Sequence, residues 1–126
     1  DGGVIPIFLN HAIKKQKLSI YGGGTQTRDF LYVTDCINFL LKALNTHHAY
    51  GQIFNAGTGD DISINALLKK IVNDTSLIEH VPHIHPQSEI MILRCNAKKA
   101  KDILGWKPKV SLDLGLQRTK EFLMNN

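Results

Sequence analysis

Apolar residues recur along this chain at two spacings, helical in some stretches and alternating in others. Val4, Ile7, Phe8 and Ala12 keep helical spacing, with Pro6 where a first-turn proline needs no N–H partner. Leu18 and Ile20 alternate with polar neighbours and predict a short strand. Gly22-Gly-Gly24 then predicts a turn, because three consecutive glycines continue neither element. Phe30 to Val33 predicts a second short strand. Thr34 or Asp35 is expected to cap a helix on which Ile37, Leu40, Leu41 and Leu44 form one wide apolar face. Gln52 to Asn55 predicts a strand that enters the turn Gly57-Thr58-Gly59. Ser63 caps the next helix, with Ile64, Leu67, Leu68 and Ile71 as its inner face.

The stretch from 75 to 89 carries Pro82 and Pro86, which exclude a regular helix and predict a loop with a short extended piece. Glu89 to Cys95 predicts a strand. Asn96 is expected to cap a short helix through Ala97, Ala100 and Leu104, stopped by Gly105. Ser111 caps a last helix carrying Leu112, Leu116, Thr119 and Leu123. The order of elements predicts an α/β fold: a small mixed sheet with flanking helices, in one domain. At 126 residues such a domain buries roughly two-thirds of the surface its unfolded chain exposes.

Composition changes this picture little. With 43% hydrophobic and 21% charged residues the chain reads as ordinary and soluble. No apolar run approaches the roughly 20 residues that cross a bilayer, so no membrane partner is expected. Asp1-Gly2-Gly3 shows no basic region leading into an apolar one, and no secretory leader is expected from it. The net charge of +4 comes from lysines on several helical stretches, including Lys14, Lys15 and Lys17, and Lys98, Lys99 and Lys101. Without interleaved aromatics or a basic tail they read as solvated faces, and no nucleic-acid partner is expected. Cys36 and Cys95 show no metal or redox spacing, and inert core thiols in a cytoplasmic protein are the expectation. His80, His83 and His85, beside Glu79, put three imidazoles close together. The prolines place them on an irregular loop with no second ligand cluster, so solvated loop histidines, and no metal ligand, are expected.

The chemistry concentrates in Tyr21-Gly-Gly-Gly-Thr-Gln-Thr-Arg-Asp-Phe-Leu-Tyr-Val-Thr-Asp35. Arg28 lies straight after a glycine turn and before an apolar run, where a guanidinium fork suits a phosphate or carboxylate. The alternative is an ion pair with Asp29 or Asp35 that fixes the turn. Gly22 to Gly24 precedes a strand rather than a helix, so no helix N-terminus aims at an anion there. A dinucleotide fingerprint of the form Gly-x-Gly-x-x-Gly is absent. So is a Tyr-x-x-x-Lys pair, since Tyr21, Tyr32 and Tyr50 have no lysine four residues on.

Three segments in order resemble the C-terminal, substrate-binding region of the extended short-chain dehydrogenase/reductase family, the nucleotide-sugar epimerases, dehydratases and decarboxylases. They are Val4-Ile-Pro-Ile-Phe8 with Ile20 to Asp35; Gly51-Gln-Ile-Phe-Asn-Ala-Gly-Thr-Gly59 with Ser63-Ile-Asn65; and Asn96-Ala-Lys-Lys-Ala-Lys-Asp-Ile-Leu-Gly-Trp-Lys-Pro108 with Ser111-Leu-Asp-Leu-Gly-Leu116. The resemblance covers nearly the whole chain. It implies a diphosphate on Arg28, a nucleotide base bordered by Tyr21, and a sugar or phosphate touched by Asn55. Packing for Tyr21 and a turn cap for Asn55 are the alternatives. Ile92 stands where many relatives have a second phosphate-binding arginine; Arg94, two residues on and on the same strand face, is the expected substitute, with weakened diphosphate binding as the alternative. The resemblance also implies NAD or NADP in complete members, held by a Rossmann half whose motifs this sequence lacks. The chain is therefore expected to bind a nucleotide-diphosphate sugar weakly or vestigially, to hold no cofactor and to be inactive alone. A separate Rossmann-domain chain or self-association is the implied partner, and a solitary interaction module is the competing reading.

Overall fold

The computed structural model describes residues 3–125. Helix α1 (Val4–Ile13) leads into strand β1 (Leu18–Tyr21), whose alternation buries Leu18 and Ile20. The glycine turn follows, and strand β2 is the pair Thr27–Arg28. Helix α2 (Val33–Leu44) comes next, then β3 (Ile62–Ser63), α3 (Ile64–Ile71), β4 (Ile78–Val81), β5 (Ile92–Leu93), α4 (Lys98–Leu104) and α5 (Leu112–Met124).

Two small sheets form in place of the one expected. β1 pairs in parallel with β4, from Leu18 opposite Ile78 to Tyr21 opposite Val81. In the other, β2 is central, antiparallel to β3 and parallel to β5, with Arg28 opposite Ile62 on one side and Leu93 on the other. α/β architecture with mixed pairing and flanking helices is thus present.

Local signals hold where their chemistry is self-contained. Ser63 accepts from Ala66 N at 3.1 Å and Ser111 from Leu114 N at 3.3 Å, each capping its helix. Gly105 ends α4 at φ +59°, the left-handed conformation that a side chain resists.

Four expectations are corrected. Phe30 to Val33 is not a strand: the ladder sits earlier, at Thr27–Arg28, and Val33 already belongs to α2. Neither Thr34 nor Asp35 caps α2, whose N-cap is Tyr32 without a side-chain bond. Asp35 points inward instead, where Oδ2 accepts the backbone N–H groups of Lys109 and Val110, each at 2.9 Å. The stretch from 52 to 55 forms no ladder, and the strand from Glu89 to Cys95 contracts to Ile92–Leu93. Backbone hydrogen bonding needs a neighbour at the right height, which alternation alone does not supply.

Two apolar clusters hold the fold. One joins α1, β1, α3 and α5 through Phe8, Leu18, Ile20, Leu67, Leu68 and Leu116. The other gathers Ala49, Ala100, Leu104 and Trp106, backed by Phe39, Ala43 and Phe54. Helix α2 turns Phe39 and Ala43 to that second cluster, while Ile37, Leu40, Leu41 and Leu44 stay 51–70% exposed. The wide apolar face legible in the sequence therefore lies on the outside.

Candidate functional site

Arg28 lies on the central strand β2, with β5 beside it. Nη1 donates to the carbonyls of Thr27 and Ile90, both at 2.7 Å, and Nη2 pairs with Glu89 Oε1. Glu89 in turn accepts from His83 Nε2 on Oε2 at 2.5 Å. The bond from Arg28, with that from His83 second, holds the Glu89 carboxyl below its ordinary range, so it is ionised at neutral pH. Arg28 is thus in an ion pair, as its alternative expects, but the carboxylate is neither Asp29 nor Asp35: it is Glu89, sixty-one residues on.

Asp29, the next residue, builds the frame around this arginine. Oδ1 accepts from Thr58 N at 2.9 Å and Thr58 Oγ1 at 2.5 Å, while Oδ2 accepts from Gly59 N at 2.8 Å and Cys95 N at 3.2 Å. One carboxylate thus ties the loop after Phe54 to the chain leaving β5. The approach is close: a Cβ added at Gly57 would stand 2.2 Å from that of Cys95. Burial, then the charge of Asp29, pushes the Cys95 thiol up, which suits an unreactive cysteine.

Tyr21 and Arg28 are joined through one network, since the Tyr21 ring meets His83 edge-on at 6.2 Å. Asn55 and Arg94 lie outside it. Asn55 is exposed and lines a cavity of about 510 Å³ with Asn96, Lys98, Lys99 and Asp102. Arg94 has a side chain 60% exposed and stands 3.6 Å from Asp61.

The histidines divide. His83 is not a solvated loop residue: its side chain is only 21% exposed and bonded to Glu89. His80 Nδ1 donates to the carbonyl of Gly22 at 2.8 Å, while Glu79 takes Ser19 and Lys17. Among the described residues, no group of His, Cys, Asp and Glu is arranged to hold a metal ion. His83 and Glu89 are the members that spacing does not reveal, because only the pairing of β2 with β5 brings position 89 to Arg28. No described helix is long and apolar enough to cross a membrane.

An apolar cavity of about 500 Å³ opens between α1, α5 and the run before α2, lined by Val4, Phe30, Tyr32, Leu112, Leu116 and Phe122 among others. Val33 also lines it, so the cavity adjoins the exposed face of α2.

Small mixed sheets with flanking helices match part of the extended short-chain dehydrogenase/reductase structures. The model of the family described as GDP-mannose 4,6 dehydratase matches residues 3–119, and the chain belongs to this family of nucleotide-sugar epimerases, dehydratases and decarboxylases. A putative UDP-glucose 4-epimerase of Methanocaldococcus jannaschii is 36% identical over 127 residues, which cover 100% of this chain and 40% of that protein. Among solved structures, Pal from Bacillus thuringiensis is 52% identical with a TM-score of 0.95, over 99% of this chain and 40% of its own. The UDP-glucose 4-epimerase of Thermotoga maritima, solved with UDP-glucose, is 31% identical with a TM-score of 0.89, over 98% of this chain and 40% of its own. The chain thus spans about 40% of the length of these proteins. Other solved family members carry NAD.

Proposed function

We propose that this chain is the C-terminal, substrate-binding portion of a NAD-dependent nucleotide-sugar epimerase/dehydratase-like protein, cytoplasmic and inactive alone. It supplies one wall of a nucleotide-sugar cleft, and a Rossmann half, covalently joined or separate, supplies the cofactor and the opposite wall. The observation that carries this reading is Arg28, fixed on the central strand with three of its donor hydrogens engaged, while the Nε hydrogen and the second on Nη2 meet no acceptor among the described residues. A diphosphate oxygen is the strongest acceptor such donors can meet. The names of similar proteins, which include UDP-glucose 4-epimerases, agree with that substrate class.

Titrating the folded chain with uridine or thymidine diphosphate tests this. Arg28→Gln is expected to weaken binding about 10- to 150-fold, the equivalent of one charge-assisted bond of about 1.5–3 kcal/mol. Absence of heat at millimolar ligand removes the binding role and leaves ancestry alone.

A second reading, an interaction module that self-associates, is favoured by the outer face of α2, where Leu40 and Leu41 are 58% and 53% exposed. Apolar surface of this kind marks a contact. Under this reading the wild-type chain sediments as a dimer or larger species, and the pair Leu40→Glu and Leu41→Glu returns it to monomer. A wild-type monomer at high concentration leaves that face to the proposed Rossmann half.

A further inference from the structure

His83 stands between a candidate base contact and a candidate phosphate ligand, and its own bonds settle where its proton lies. Nδ1 accepts the backbone N–H of His85 at 3.0 Å, so in the neutral ring the proton sits on Nε2. Nε2 then donates to Glu89 Oε2, and Glu89 Oε1 takes Nη2 of Arg28. The carboxylate is 17% exposed and has a donor on each oxygen. On the far side, the His83 ring meets Tyr21 at an interplanar angle of 69°. With Nη1 spent on two carbonyls, Arg28 cannot turn without breaking bonds to Thr27, Ile90 and Glu89 together.

We propose that Glu89, oriented by the Nε2–H of His83, is a positioning residue that holds Arg28 with Nε–H and the second Nη2 hydrogen turned to a diphosphate, while His83 seats Tyr21 beside it. This rests on the nucleotide-sugar reading above. It assigns Glu89 and His83 a task that acts through Arg28 and Tyr21. A rigid fork loses less side-chain freedom when it binds, and so binds more tightly. The opposite role for Glu89 is a bare negative charge beside an anion site, which weakens binding. The two roles predict opposite signs for the same substitution.

Glu89→Gln is the discriminating variant. A glutamine amide turned to keep the Arg28 bond presents its NH2 to the Nε2–H of His83, donor against donor, and the flipped amide meets Arg28 in the same way. His83→Phe removes the hydrogen bond, keeps a ring against Tyr21 and leaves the formal charge unchanged with the histidine neutral. The readouts are 15N relaxation of Arg28 Nε, long-range 15N correlation of the His83 tautomer, and titration with uridine diphosphate, all on the 126-residue chain. Expected is a rigid Arg28 Nε in the wild type, with an order parameter near about 0.85 that falls below about 0.6 in Glu89→Gln. Affinity for uridine diphosphate falls about 5- to 10-fold in Glu89→Gln and by a smaller factor in His83→Phe. Glu89→Asp, which retains the charge and both acceptors, recovers part of the order.

An Arg28 Nε that stays rigid in both variants overturns the assignment, as does affinity that is unchanged or higher in Glu89→Gln. If Glu89→Gln does not fold, His83→Phe carries both readouts. The failure of the underlying reading looks different. A wild-type chain that ignores uridine diphosphate, or an Arg28→Gln variant that binds it as well, removes the diphosphate site. The relaxation and tautomer measurements then still decide, without ligand, whether Glu89 and His83 hold the arginine.

Discussion

Replacing Trp106 by alanine is expected to lower the unfolding free energy by about 3–5 kcal/mol. The indole is 1% exposed, meets Phe39 edge-on at 5.3 Å, and donates from Nε1 to the carbonyl of Asp35 at 3.2 Å. It is the largest member of a small cluster whose other buried residues are Ala49, Ala100 and Leu104, so neighbours cannot swell to fill the void. The loss also strands a carbonyl on the residue that secures Lys109 and Val110. A domain of this size has about 5–15 kcal/mol in total, so the variant stands near the edge of folding. Trp106→Phe restores most of the packing and is expected to cost roughly 1–3 kcal/mol. Urea titration followed by circular dichroism measures both. A cost below about 1 kcal/mol for the alanine variant would show that this cluster unfolds apart from the first.

Asp29→Asn is expected to cost about 2–4 kcal/mol and to flatten the acid limb of the stability profile. Asparagine keeps the shape but turns an NH2 towards two of the N–H and O–H groups now bonded to the carboxylate. Burial raises the Asp29 carboxyl, but the bonds from the Thr58 hydroxyl and from the backbone of Thr58, Gly59 and Cys95 outweigh it and hold it below its ordinary value. A carboxyl lowered by folding stabilises fully above its unfolded value. That contribution disappears as pH falls through the lower native value. The wild type is therefore expected to lose stability on acidification below about pH 4, where Asp29→Asn falls less. Urea midpoints across that range supply the check. Equal acid limbs in the two proteins would mean that folding does not lower the Asp29 carboxyl. Because Asp29 adjoins Arg28, the same variant is expected to loosen the diphosphate site, but only through the frame.

Elements were legible where the instructions are local. The period of α3, the serines that cap α3 and α5, and the left-handed Gly105 each act within a few residues of themselves. Misplacement followed where a distant neighbour decides. Phe30 to Tyr32 carries strand-like residues, yet Phe30 packs against the first core cluster and Leu31 against the second, so the ladder moves back to Thr27–Arg28. Asp35 looks like a cap from its position and instead serves backbone groups more than seventy residues away. From 53 to 56 the burial alternates as in a strand, with Phe54 and Ala56 facing the second cluster and Ile53 85% exposed. No described neighbour offers it an edge, so no ladder forms.

What the order of residues determined by itself is the set of helices, the serine caps of α3 and α5, the family and the presence of an arginine beside a glycine turn. All of these depend on groups within a turn or two of chain, or on a pattern read in one dimension. Tertiary structure alone decided that Arg28 is held by Glu89 and His83, that Tyr21 joins them, and that the apolar side of α2 faces outward. Those outcomes depend on which strands pair and in what register, and hydrogen bonds between positions sixty residues apart carry no periodic signal.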